Sequence, residues 1–312
     1  MANYNAPSNM ENNEAILRDV LAGLMTRYRQ RVPDVSKITG AMINEKLIVA
    51  PEDIENDHIA FRSLAVPNLG ISSLEKIFLH YGYTKRDYYF FKEKKLNAWW
   101  YSPPAAGLPR IFISELRVTD LSDEAQKIIY SYTNKVTTDP VAQLDLSVAA
   151  EVINYLHSSS WSLPSMSDYE FLASESEYAA WAIYNRYYLN HFTMSVHNLP
   201  MGYNTLEAFN NFLEKNNVQL NDAGGKIKKS PDGLLLQSST VARMVAAVFS
   251  DGEKKNIPGS YVEFAERKPI EQYKSVPARD VLPIHRREGF EAANADKIFE
   301  STYLEQINKK RE

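Results

Sequence analysis

Three short stretches carry side chains that could hold a metal or an anion. Asp57-His58-Ile59-Ala60-Phe61-Arg62 is apolar, aromatic and short, with Pro51 upstream and Pro67 downstream. That is the pattern of a strand between breakers. Side chains alternate along a strand, so His58, Ala60 and Arg62 share one face while Ile59 and Phe61 share the other. A His, a small residue and an Arg make a poor core face, because burial would strand two polar groups. They make a good site face: the imidazole can ligate a metal, the methyl leaves room, and the guanidinium can hold an anion. Taken alone, the same face also reads as an ordinary solvated one. A second strand, Asn190-His191-Phe192-Thr193-Met194-Ser195-Val196-His197, puts His191, Thr193, Ser195 and His197 on one face. A third, Tyr261-Val262-Glu263-Phe264-Ala265-Glu266-Arg267, puts Glu263, Ala265 and Arg267 together. Two His and one carboxylate on separate strands match the facial triad of non-haem Fe(II) sites, which leaves positions open for substrate and oxygen.

The composition allows this chemistry and excludes others. A chain of 312 residues can bury a large core as one domain or two. The hydrophobic fraction of 44% and charged fraction of 24% are those of an ordinary globular protein. A formal net charge of -4 is no basic footprint, so nucleic acid is not an expected partner. The absence of Cys removes disulfides, thiolate ligands and Cys nucleophiles. No apolar run approaches a membrane span. The polar, Asn-rich start shows no charged-then-apolar leader pattern. A cytoplasmic location is therefore the expectation.

The elements that must position these residues come next. Residues 1 to about 11 read as disordered. A helix capped at Asn12 or Asn13 runs to Arg31, Pro33 stops it, and a second covers Ser36 to Leu47. After the His58 strand, Ser72 to Tyr81 reads as a helix ended by Gly82. The runs Tyr83 to Phe91, Lys95 to Tyr101 and Arg110 to Val118 read as strands. From Asp120 to about Tyr187 the pattern is helical, with a break at Ser174-Glu175-Ser176-Glu177. The His191 strand then opens a second series. A helix covers Thr205 to Asn216, and strand-like runs follow at Lys226 to Lys229, Gly233 to Gln237, Met244 to Phe249 and Tyr261 to Arg267. Both halves are close to β-α-β-β-β, a repeat of pattern with little residue identity. This predicts one α+β domain: a helical region at 1–50, a first βαβββ module at 54–118, a helical insertion at 119–188, a second module at 189–268, and a C-terminal segment at 269–312. Two modules that each begin with a His-bearing strand predict a pseudo-symmetric site between them.

Several stretches also carry a family resemblance. They are DHIAFR (57–62), PRIFISEL (109–116), ESEYAAW (175–181), LNHFT (189–193), SPDGLLLQSST (230–240), YVEFAER (261–267) and DKIFEST (296–302). On these the chain resembles the DUF1338 family, which includes bacterial 2-oxoadipate dioxygenase/decarboxylases (2-hydroxyglutarate synthases) and shorter plant relatives, and it looks closer to the plant-type branch. The resemblance implies a vicinal-oxygen-chelate fold, with two βαβββ modules in a mixed, strongly curved sheet around Fe(II). It implies metal ligands at His58, His191 and Glu263 and a substrate-binding Arg62, with Arg62 and Glu263 carrying the catalytic roles. It implies turnover of a 2-oxo acid with O2, 2-oxoadipate giving 2-hydroxyglutarate and CO2, as in lysine catabolism. Zn or Ni are alternative occupants of the metal site.

The remaining candidates are weighed against that set. Gln237, Ser238 and Ser239 follow an apolar run and offer hydroxyl and amide groups to a substrate. Glu115 is the rival carboxylate, because it ends the last strand of the first module where Glu263 sits in the second. A supporting or structural role is expected for it. His197 lies about 20 Å along the strand from His191, too far to share a metal, and is expected to be peripheral or hydrogen-bonded. His80 and His157 fall in helical patterns and read as structural. His285, beside two Arg, reads as a basic surface turn or as a lid. Two rival readings stand beside the dioxygenase: another metalloenzyme on this fold (a lyase, isomerase or hydrolase), and a metal-free binding protein. Oligomeric state is not legible.

Overall fold

The computed structural model describes residues 9–158 and 160–309, with side chains from residue 12 onward. The expected disorder of residues 1–11 falls largely on residues 1–8, outside the described residues. From Asn9 the chain is helical: α1 spans Asn9–Arg31 and buries Leu17, Val20, Leu24 and Tyr28 along one stripe. Pro33 does not merely end it. It opens α2 (Pro33–Asn44) in the first turn, where its missing N–H is no loss.

The first module is β1 (Asn56–Leu64), α3 (Ile71–His80), β2 (Thr84–Phe91), β3 (Leu96–Ser102) and β4 (Arg110–Leu116). The second is β5 (His191–Ser195), α8 (Leu206–Lys215), β6 (Lys228–Lys229), β7 (Leu235–Ser239) and β10 (Tyr261–Arg267). The expected strand run at Met244 does not join the second module. It forms β8 (Met244–Val248), which pairs with β9 (Lys254–Pro258) as a separate hairpin.

Among the described residues, ten strands give one eight-stranded mixed, curved sheet, in the order β2-β3-β4-β1-β5-β10-β7-β6, and one hairpin. In each module the first strand runs parallel to the last: β1 beside β4, and β5 beside β10. The modules meet at one antiparallel seam, β1 against β5. Alternation sorts the two faces. Phe61 meets Phe78 of α3, and Phe264 meets Phe209 of α8, on the outer face. The inner face carries the polar residues of the site.

Between the modules lie α4 (Asp123–Thr133), α5 (Ala149–His157), α6 (Met166–Glu175) and α7 (Glu177–Asn185). Ser122, Ser165 and Ser176 cap α4, α6 and α7, each hydroxyl accepting from the backbone N–H three residues on. Ser176 falls inside the expected break at 174–177. After β10 the chain returns over the inner face as α9 (Ala292–Phe299) and ends the described part near α10 (Leu304–Asn308).

Candidate metal centre

Strand register builds the site. His58 on β1, Thr193 on β5 and Glu263 on β10 are neighbours along one row. Ala60, His191 and Tyr261 form the next row. Residues in these rows point to the same face, so three distant parts of the chain converge. One ligand atom each from His58, His191 and Glu263 lie within 4.8 Å of one another, and all three residues are buried. Glu263 Oε2 lies 3.1 Å from His191 Nε2, Oε1 lies 3.5 Å from His58 Nε2, and the two Nε2 atoms are 3.3 Å apart.

The other ring nitrogens are held elsewhere, each by the residue just before the His. His58 Nδ1 lies 2.8 Å from Asp57 Oδ1, and His191 Nδ1 lies 3.0 Å from Asn190 Oδ1. This fixes both rings with Nε2 inward. Asp57 is itself anchored: Arg267 Nε and Nη2 donate to its two oxygens at 2.6 and 2.9 Å, and Arg110 stands at 3.4 Å. Gln237 Nε2 donates to Glu263 Oε1 at 2.7 Å, while the Gln237 carbonyl accepts from Asn294 at 3.0 Å.

Electrostatics separate these groups. Burial alone would push the Asp57 carboxyl up, but Arg267 and Arg110 outweigh it and hold it well below the usual carboxylate range. Burial opposes charge on His58 too, and there Glu263 and Asp57 prevail and raise its pKa. His191 is driven well below the ordinary value by burial, with His58 and Arg62 as further cations nearby. One imidazole is thus neutral in any case, as a metal ligand must be.

The pseudo-symmetry explains the number of ligands. If His58 and His191 are equivalent, then Ala60 and Thr193 are equivalent, two residues on. Ala60 opposes Phe112 on β4, and Thr193 opposes Glu263 on β10. Phe112 therefore occupies the place of Glu263 in the first module, and no fourth ligand stands there. Glu115 corresponds instead to Glu266. Its Oε2 accepts from the N–H of Ile71 at the start of α3, as Glu266 accepts from the N–H of Leu206 at the start of α8. The expected match of Glu115 with Glu263 was off by three positions, and Glu115 anchors a helix.

The other expected residues divide. Gln237 and Ser239 face inward, Ser239 sharing a 2.8 Å hydrogen bond with Ser301. Ser238 does not face the site: it pairs with Phe264 and donates to Asn210 on α8 at 2.8 Å. A period of two forbids all three from pointing one way. Arg62 is 1% exposed, donates from Nη1 to Thr302 Oγ1 at 2.9 Å and from Nη2 to the Phe299 carbonyl at 3.1 Å, and lies over the rings of Tyr178 and Trp181. His197 leaves the strand, which ends at Ser195, and accepts from the Arg267 N–H at 3.3 Å. His285 stacks on Tyr273 at 4.1 Å in a surface turn. The covering residues that sequence reasoning missed are Phe290 and Phe299. Phe290 stands edge-on to the His58 ring at 4.7 Å, and both line the small cavity at the cluster.

A curved sheet of two βαβββ modules with such a cluster across the seam is a vicinal-oxygen-chelate architecture. A glyoxalase-superfamily protein of Ralstonia eutropha JMP134 shares the fold, with a TM-score of 0.66 and 21% identity over 90% of this chain and 86% of that one. Within that class the chain belongs to the 2-oxoadipate dioxygenase/decarboxylase family, a family of enzymes whose model matches residues 20–282. A chloroplastic 2-oxoadipate dioxygenase/decarboxylase of Arabidopsis thaliana is 42% identical over 308 residues, covering 95% of this chain and 80% of the relative. The crystal structure of a hydroxyglutarate synthase of Oryza sativa in complex with 2-oxoadipate gives a TM-score of 0.87 at 38% identity, covering 99% of this chain and 100% of that one. These findings bear out the expected fold and family. They overturn the cytoplasmic expectation, because the plant relatives carry chloroplastic and amyloplastic designations.

The donor set fits a divalent metal. Two imidazole nitrogens and one carboxylate are buried and inward-facing, with their outer atoms already hydrogen-bonded.

Proposed function

We propose that the chain is an Fe(II)-dependent dioxygenase/decarboxylase that converts 2-oxoadipate to 2-hydroxyglutarate and CO2. His58 Nε2, His191 Nε2 and a Glu263 oxygen would hold the iron. Iron bound there supplies open coordination positions for a 2-oxo acid and O2, and the redox chemistry of oxidative decarboxylation. The observation that carries this reading is the three-residue donor set with Phe112 at the fourth place. A site built for a fourth protein ligand would favour a lyase, isomerase or hydrolase instead.

The chain's own residues do the rest. Asp57 and Asn190 hold the rings, and Gln237 holds Glu263 Oε1. Phe112, Phe290 and Phe299 give the cavity apolar walls, and an apolar wall strengthens the charge interactions beside it. Arg62 supplies a buried positive charge for an acidic substrate. The reaction balances without another reductant: 2-oxoadipate and O2 together contain the atoms of 2-hydroxyglutarate and CO2.

The test is an oxygen electrode with Fe(II)-loaded protein and a panel of 2-oxo acids. O2 uptake equal to CO2 release, greatest with 2-oxoadipate, is expected. Metal-dependent turnover without O2 use would overturn the reading in favour of another metalloenzyme. Failure to bind any divalent metal would favour a binding protein.

A further inference from the structure

A cluster of unpaired positive charge lies away from the metal centre, where α1 meets the ends of α5 and α7. The helices α1 and α5 pack closely: a Cβ at Gly23 would stand 2.6 Å from Ile153 Cδ1. One turn further along each helix stand Arg27 and His157. Arg31 follows Arg27 by a turn, on the same face. Both guanidinium groups lie over the ring of Tyr188, just past α7, with Cζ 4.8 and 3.7 Å from its centroid. The His157 ring lies 6.2 Å from the same ring, at an interplanar angle of 32°. Arg27 donates to the Tyr188 hydroxyl, and Arg31 Nη2 donates to Asn185 Oδ1 at 2.9 Å. Arg27, Arg31, His157 and Tyr188 are half-buried and line one small cavity. Among the described residues, none lines both this cavity and the one at the metal centre.

The cluster lacks a counter-charge. Among the described residues, no carboxylate stands at ion-pair distance from Arg27, Arg31 or His157. The acids nearby are engaged elsewhere. Asp34, whose charge reaches Tyr28 at the cavity wall, is held by Arg243 Nε and Nη2 at 3.0 and 2.9 Å. Glu52 stands 3.6 Å from Arg29. The cations act on one another instead. Burial lowers the pKa of Arg31, and Arg27 beside it pushes the same way. Burial brings His157 down to about 4, with Arg27 and Arg31 adding to the effect. An aromatic face and a helix C-terminus account for one cation here. They do not account for two with an imidazole beside them, in a chain of net charge -4.

An anion supplies what is missing. A guanidinium presents a planar fork of N–H donors that matches the oxygens of a phosphate. Tyr188 and Asn185 each hold one edge of a guanidinium, which leaves further donors for a ligand. The imidazole adds another donor. A dianion answers two guanidinium charges, where a single carboxylate answers one. We propose that Arg27, Arg31 and His157 form a second binding site, apart from the metal centre, for a dianionic phosphate group, either free or carried by a phosphomonoester.

The test is calorimetric titration of sulfate and of methyl phosphate into metal-loaded protein without O2, against sodium acetate at equal ionic strength. Saturable binding of both dianions is expected, with a Kd of about 1 mM or tighter, and no binding of acetate. Sulfate bound as tightly as methyl phosphate marks a site for the free oxyanion, and tighter binding of methyl phosphate marks one for the ester; either supports the site. Arg27→Gln and Arg31→Gln should each weaken binding about ten-fold or more. Arg86→Gln removes an exposed arginine bonded to Ser102 and should leave binding unchanged, as should removal of the metal. No saturable binding, equal binding of acetate, unchanged binding in both cluster variants, an equal loss in Arg86→Gln, or loss of binding with the metal would each overturn the proposal. Thermal melts accompany the variants; should Arg31→Gln not fold, wild type, Arg27→Gln and Arg86→Gln decide the matter.

Discussion

Asp57 is the residue whose replacement should cost most for the smallest change in shape. It is 2% exposed and holds four partners: His58 Nδ1, Arg267 Nε, Arg267 Nη2 and Arg110 Nη1. Asp57→Asn keeps the outline but removes the charge and turns one acceptor into a donor. That donor must face either a guanidinium or an imidazole. Breaking a buried ion pair on one side costs about 3–5 kcal/mol, because the remaining charge is left uncompensated. Arg267 keeps hydrogen bonds to the carbonyls of Arg287 and Gly289, which favours the lower end, about 3 kcal/mol. A 312-residue chain has an unfolding entropy of about 0.65 kcal/mol/K, so Tm should fall by about 5 °C. With His58 no longer fixed, metal affinity should fall about ten- to a hundred-fold. The folded carboxyl is held below its unfolded value, so its stabilisation is present above the unfolded pKa and is lost only as pH falls through the lower folded value. The Tm deficit of the variant should therefore persist down to about pH 5 and shrink below about pH 4. Thermal melts across that range, with metal titrations at pH 7, make the test. A Tm within 1 °C of wild type together with wild-type metal affinity would refute the account of how His58 is held.

Other outcomes follow from the same geometry. Glu263→Gln should leave Tm nearly unchanged but weaken metal binding and abolish turnover, measured by metal content and O2 uptake; full iron and full activity would remove Glu263 from the ligand set. Phe112→His places a nitrogen at the position equivalent to Glu263, so Zn(II) affinity by chelator competition should rise about ten-fold or more while O2-dependent turnover falls. His157 and His197 are both pushed down to about 4, chiefly by burial. The unfolded chain binds more protons than the folded one between about pH 4 and 6.5, so metal-free protein should lose stability as pH drops through that window. His157→Gln should flatten part of this dependence in thermal melts.

Much of the site was legible because strands alternate. His58, Ala60 and Arg62 fell on one face by counting, as did Glu263 and Ala265, and two such strands in a repeated pattern implied a seam. The same rule, left unapplied at 237–239, would have turned Ser238 outward. Glu115 was misassigned because register between distant strands is set by pairing, and one sequence shows the repeat of pattern without its offset. Asp57 stands directly before His58 in the sequence, but its partners are 53 and 210 residues away. Phe290 and Phe299 escaped notice because what an aromatic residue in a C-terminal segment covers depends on where the chain returns. The surroundings of Arg62 were hidden for a similar reason: it finds its acceptors at 299 and 302.

The seam between β1 and β5 also bears on which ion is held. Its backbone ladder, the Asp57–Arg267 pair and the capping carboxylates Glu115 and Glu266 use none of the three ligand atoms. The joint can therefore form first and be metallated afterwards, unlike small zinc modules whose binding energy is their folding energy. Folding then exerts no choice among ions. Two nitrogens and one oxygen bind late first-row divalent ions more tightly than iron, so occupancy follows the local supply of each ion. The protein's contribution to iron specificity would lie in what happens after binding, where only a redox-active occupant gives turnover.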